Sequence, residues 1–164
     1  MLTHHRRPVC LSMVSTDLPF WSTIETSATL YQKDKERFHL LLTEPGIPDR
    51  EPEPDETPDV SAQPPDNSPR LLWLELSPYR VIMTMQGNGK TSYRHLWETG
   101  IYGISRYWLH SESARGNAPL RMRNYTRKLI LEGGPLPVSL HLEYELWSEK
   151  VQMGHYLLNL QIHH

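Results

Sequence analysis

Three groups of side chains in this 164-residue chain have types and spacings that could do chemistry. The first is of metal-ligand type. His141 and Glu143 are two apart, so on a strand they share a face, and a hairpin that sets Glu143 opposite His155 would add a second imidazole. The trio matches no recognised zinc spacing and lies on an outer face, so a solvated charge pair is the expectation, with no metal and no cofactor. The second group is Arg121, Arg123, Tyr125 and Arg127. Period two aligns three guanidinium groups around one aromatic ring, an arrangement that can follow phosphates and stack a base; Arg94, Arg106 and Arg115 could extend it. The third is Met83, Met85, Tyr93, Trp97, Tyr144 and Tyr156, soft and aromatic side chains at alternating positions that could line a space for a flat or apolar ligand.

What is missing bounds the chemistry. The sequence has no Gly-x-Ser-x-Gly elbow, no Cys-x-x-Cys and no His-Glu-x-x-His. Gln86-Gly87-Asn88-Gly89-Lys90-Thr91 echoes a phosphate loop, but its glycine spacing is wrong and no helix follows, so it reads as a hairpin turn. No catalytic residues are assigned, and the expectation is a protein that binds rather than one that reacts.

The elements that must position these groups are strands. In Ser139-Leu140-His141-Leu142-Glu143-Tyr144-Glu145-Leu146 apolar and polar residues alternate without a miss. The alternation returns with Tyr156, Leu158, Leu160 and Ile162 on one face and His155, Asn159, Gln161 and His163 on the other. This is a half-buried antiparallel hairpin. A three-residue loop at Ser148-Glu149-Lys150 would place Tyr144 opposite Gly154, Leu142 opposite Tyr156 and Glu143 opposite His155. A second hairpin runs from Ile24 to Leu42 through the polar turn Gln32-Lys33-Asp34-Lys35. Between them lie short alternating runs at Leu72–Leu76, Tyr79–Gln86, Thr91–Trp97, Ile101–Leu109, Leu120–Thr126 and Lys128–Leu131, with turns at Gly87-Asn88-Gly89 and Thr99-Gly100 and a polar loop at Ser111–Asn117. No helical period spans ten residues. About eight to nine strands with mostly meander connections predict an all-β antiparallel barrel, because closure removes sheet edges.

Residues 1–19 form a basic start, with Val9 to Val14 either a short first strand or a frayed extension. Residues 20–164 form one barrel domain, interrupted at 44–69 by a segment with 8 of the 14 prolines and eight acidic residues against the single base Arg50. Such a composition cannot bury enough apolar surface to order itself, so a disordered acidic insertion is expected. Cys10 is the lone cysteine and no run approaches a membrane span, which points to a reducing compartment, the cytoplasm.

Three stretches carry a resemblance. They are Met83-Thr84-Met85-Gln86-Gly87 with the polar-aromatic strand after it; the spacing from Tyr107 through Gly116, Thr126 and Gly133 to Leu140-x-Leu142-x-Tyr144-x-Leu146; and the ending Gly154-x-x-x-Leu158-x-Leu160-x-Ile162. With the Glu25–Leu42 hairpin, they resemble the YwiB-like bacterial proteins over residues 20–43 and 70–163. The resemblance implies a cytoplasmic calycin, or lipocalin-like, barrel and no catalytic residues. The acidic segment and the basic start depart from that family's compact pattern. The functional expectation is a small-molecule-binding module with its ligand in the barrel mouth, acting as a monomer or homodimer. The alternative is an interaction module that takes RNA or an acidic protein on residues 121–128.

Overall fold

Each run of alternating residues becomes a strand whose apolar face turns inward. In the computed structural model, which describes residues 3–17, 21–44, 70–86, 91–109 and 120–164, ten strands follow one another. They are β1 (Thr3–Ser15), β2 (Trp21–Gln32), β3 (Phe38–Glu44), β4 (Arg70–Leu76), β5 (Arg80–Gln86), β6 (Thr91–Glu98), β7 (Tyr102–Leu109), β8 (Leu120–Gly133), β9 (Pro137–Ser148) and β10 (Val151–Ile162). Every strand pairs antiparallel with its neighbour in sequence, and β1 pairs with β10 to close the barrel. Most of the acidic segment, the Gly87-Asn88-Gly89 turn, the loop at 111–117 and Arg115 lie outside the described residues.

The strand count corrects the expected eight to nine. The basic start is a full strand of 13 residues, joined to β2 from Thr3 to Val14 and to β10 from Val9 to Ser15. The runs expected as separate strands at Leu120–Thr126 and Lys128–Leu131 are one strand, carried past Arg127 by a bulge against β9. Ten strands enclose a wider interior than eight, and eight is about the number that side chains alone can fill.

The C-terminal hairpin keeps the expected faces but not the expected partners. Its turn is Glu149-Lys150, with Glu149 in the left-handed region at φ 54°, and a bulge between Gln152 and Gly154 inserts one residue into β10. Shorter turn and added residue restore the parity, so apolar still meets apolar. The pairs are displaced along the strand: Tyr144 lies opposite Tyr156, Leu142 opposite Leu158 and Leu140 opposite Leu160. Glu143 therefore faces Leu157, and His155 faces Glu145.

The interior has two ends. Near the end formed by the turns β2–β3, β4–β5 and β9–β10's far termini, Leu30, Phe38, Leu40, Leu74, Leu76, Val81, Leu140, Leu160 and Ile162 are all buried against one another. Burying a leucine is worth roughly 1.5–3 kcal/mol, so this packed end supplies much of the fold's stability. Toward the other end the inward positions change type, to Tyr93, His95, Ser105, Tyr107, Asn124, Thr126, Tyr144 and Tyr156. The functional question lies there.

Candidate binding cavity

Alternation on β6 sends Tyr93, His95 and Trp97 inward, and on β7 it sends Ser105 and Tyr107 inward, with His95 directly across from Ser105 and Tyr93 across from Tyr107. These residues border a cavity of about 460 Å³. Its walls are Leu11, Met13, Ile24, Leu72 and Met83 on one side and Tyr93, His95, Tyr107, Tyr144 and Tyr156 on the other, with Ser22 and Arg70 toward the rim. That size suits a small organic molecule.

Trp97 underlies the aromatic wall. It stacks on His95 with ring centroids 4.8 Å apart and 5° between planes, and it meets Tyr144 at 4.9 Å. Tyr144 in turn stacks on Tyr156 at 5.4 Å. Gly154 makes room for this stack, since a Cβ there would stand 2.8 Å from the Tyr156 ring.

A buried hydrogen-bond chain holds the imidazole. Asn124 Nδ2 donates to Ser105 Oγ at 2.9 Å, and Ser105 Oγ is 2.7 Å from His95 Nδ1. An amide nitrogen can only donate, so the serine oxygen accepts from Asn124, which leaves its own proton available to Nδ1. With the serine proton so directed, the ring proton sits on Nε2, which is 3.4 Å from the Tyr107 hydroxyl at the cavity. Gly103 permits the chain: a Cβ there would fall 2.0 Å from the Leu96 carbonyl oxygen and 2.8 Å from Asn124 Oδ1. Asn124 Oδ1, Thr126 Oγ1 and Trp97 Nε1 are also buried and have no partner among the described residues, so the layer behind the cavity is polar.

The electrostatics favour neutral groups. Burial drives the His95 imidazole down to about 3. Burial also holds the Tyr107 and Tyr144 hydroxyls well above their ordinary value, with the other cavity tyrosines adding to the shift. A general acid or base works best with a pKa near the operating pH, and neither His95 nor Tyr107 has one. Ser105 is fully buried behind the imidazole rather than at the cavity, so its hydroxyl orients His95 and meets no ligand. The arrangement offers fixed N–H and O–H dipoles in an apolar enclosure.

Of the six side chains the sequence proposes for the interior, Met83, Tyr93, Tyr144 and Tyr156 line the cavity. Met85 and Trp97 point inward but are packed into the core. The sequence reading passed over His95, Tyr107 and Arg70. The alternation that selected Tyr93 and Trp97 already placed His95 between them.

Of the other two groups, the register separates the metal-type trio and keeps the arginine strand on one face. His141 bonds Glu143 Oε1 through Nε2 at 3.0 Å and Asn159 Oδ1 through Nδ1 at 2.6 Å, and these bonds, Glu143 first, raise its pKa. Both ring nitrogens are thus occupied. His155 is not across from Glu143; its backbone N–H bonds Asp17. On β8, Arg121, Arg123, Tyr125 and Arg127 do share the outer face. Arg127 is ion-paired with Glu145, donating from Nε at 2.7 Å, while Trp147 Nε1 occupies that carboxylate's other oxygen at 3.2 Å. Arg123 donates to the Glu149 carbonyl at 2.9 Å and covers the Tyr102 ring at 5.3 Å, and Tyr102 meets Tyr125 at 5.1 Å. Two of the three guanidinium groups along β8, Arg123 and Arg127, are thus engaged within the protein.

No helix among the described residues is long and apolar enough to cross a membrane. No family model matches the chain, and neither does any curated protein. Among solved structures, the chain is similar to the crystal structure of the ywiB protein from Bacillus subtilis, with a TM-score of 0.60 at 11% identity. The likeness covers 99% of this chain and 94% of that one. It therefore includes the basic first strand, which the sequence had set apart. Sequence resemblance and backbone meet on the same relative, and the chain is YwiB-like in fold.

Proposed function

We propose that this protein binds a small, largely apolar and uncharged molecule in the mouth of its barrel, as lipocalin-like barrels do. The observation that carries this reading is the Asn124–Ser105–His95 chain. A buried histidine costs free energy unless it is hydrogen-bonded. Here three strands cooperate to hold the imidazole, with Nε2 and the Tyr107 hydroxyl together at a largely apolar and aromatic cavity. Such a pair recognises a hydrogen-bond acceptor, a carbonyl or ether oxygen, on a ligand whose body lies among the tyrosine rings. A charged group would be desolvated inside and is excluded, although Arg70 at the rim could meet an anionic tail.

The test uses prodan, a flat, neutral naphthyl ketone whose emission reports polarity and hydrogen bonding at its carbonyl. Wild-type protein should bind it saturably with a blue shift and enhanced emission. Ser22→Trp, which enlarges a half-buried residue on the cavity wall, should abolish binding while the melting temperature stays within a few degrees. No saturable uptake by the wild type, or equal uptake by Ser22→Trp, refutes the reading.

A further inference from the structure

We propose that the outer wall of β6, β7 and β8 carries a binding site for a phosphate group, formed by Arg94, Arg106 and Arg121 and separate from the cavity. The three are placed by register: Arg94 lies directly opposite Arg106, and Arg106 directly opposite Arg121. They form a row across three strands, at right angles to the strip along β8 that the sequence suggests. Directly opposed side chains have Cβ atoms about 4.5–5.5 Å apart, and like charges so placed destabilise a sheet. A barrel wall has no reason to repeat that cost twice in one row unless something offsets it.

Nothing within the described protein does. None of the ion pairs among the described residues involves these three arginines. The outward positions of β5 to β7 near them, Ile82, Thr84, Leu96 and Ile104, include no acid; Glu98 lies opposite Arg80, and Glu145 on β9 is taken by Arg127. The middle member is the most telling. Arg106 is half-buried, and its Nε is shut off from solvent with no hydrogen-bond partner among the described residues. A buried guanidinium N–H normally has an acceptor, and leaving one unpaired is costly.

The geometry points to a tetrahedral oxyanion rather than a carboxylate. Three guanidinium forks offer more donors than two oxygens can accept, whereas a phosphate presents three or four and matches the arginine fork bidentately. Thr84, directly opposite Arg94 on β5, extends the row with a hydroxyl. The phosphate could belong to a small molecule or to a single-stranded nucleic-acid chain.

The melting temperature in sodium phosphate is compared with that in sodium chloride at matched ionic strength. Wild type should gain about 3 °C when phosphate is at roughly ten times its dissociation constant. Arg106→Gln should lose that gain, and so should the Arg94→Gln/Arg121→Gln double variant, whose sites are exposed and tolerant. A second arm titrates a fluorescein-labelled single-stranded oligoribonucleotide by anisotropy at several salt concentrations. Binding whose salt slope falls by about 1 in Arg106→Gln identifies a phosphodiester chain as the source. A phosphate effect without oligonucleotide binding identifies a small phosphate-bearing molecule. If the wild type shows no phosphate effect, or all variants keep it, or oligonucleotide binding ignores these substitutions, the site is overturned.

Discussion

The two ends of one barrel interior are built from the same alternation and serve different ends. In the row Leu30, Leu40, Leu74, Met83, His95, Ser105, each residue lies directly opposite the next across successive strands. Four apolar side chains give way to an imidazole and a hydroxyl without any change in backbone pattern. Along Leu30, Leu40 and Leu74 the interior is filled; Met83 and His95 border the cavity, with Ser105 buried behind the imidazole. The difference shows that in a barrel of this girth, space is a choice of side chain rather than of fold.

Truncation separates the ends most sharply. Leu74→Ala, at a fully buried position, should cost about 2–5 kcal/mol of unfolding free energy by denaturant titration. Prodan affinity should be unaltered in the fraction that stays folded. Equal losses of stability and prodan binding would show that the two ends are one unit.

Acid should act on the other end. The folded pKa of His95 lies near 3, below the ordinary value near 6.5, so the unfolded chain binds the proton first. Stability from this residue is present above about pH 6.5 and falls as pH drops toward 3, by about 1.4 kcal/mol per unit. His95→Gln should remove that slope between pH 6 and 4, whatever it does to stability at neutrality. An unchanged slope would mean the imidazole is not held neutral.

Ser105→Ala follows, at about 1–3 kcal/mol, because it strands the Asn124 amide and His95 Nδ1 together. The ¹⁵N shifts of His95 sharpen this: wild type should show the proton on Nε2, and Ser105→Ala should relax that preference. A wild-type proton on Nδ1 would reverse the donor at the cavity and with it the ligand chemistry.

How far the sequence carried each end follows from what fixes it. Faces were legible because period two is local: Leu140, Leu142, Tyr144 and Leu146 could not all be inward otherwise. Partners were not, because Met153 is extruded between Gln152 and Gly154 and Arg127 between Thr126 and Lys128, and an extra residue leaves little compositional trace. With the shorter turn, that slip set His155 opposite Glu145 and so separated the metal-type trio. His95 was missed for another reason: residue type argued for core or solvent, while its role comes from Ser105 on β7 and Asn124 on β8, whose register against β6 the residue types do not specify. The arginine row needed the register of β8 against β7, which the intervening residues 110–119 do not specify. The first strand hid because its polar start, His4-His5-Arg6-Arg7, lacks the apolar face of its neighbours, yet twelve pairs with β2 hold it.

Tyr107→Phe is the smallest change and the finest probe of the polar end. The ring stays, so packing against Tyr93 and His95 is kept, and stability should move by about 0.5 kcal/mol or less, since the hydroxyl's bond to His95 Nε2 is a long one. A bound ketone would lose one of its two donors. Prodan should then bind about 2–10-fold more weakly, the worth of one net hydrogen bond, and its bound emission should move further to the blue as the carbonyl is left less solvated. If affinity and emission both stay put while Ser22→Trp still excludes the probe, the ligand sits among the tyrosine rings without touching the histidine. The buried chain behind it would then be a device of folding rather than of recognition.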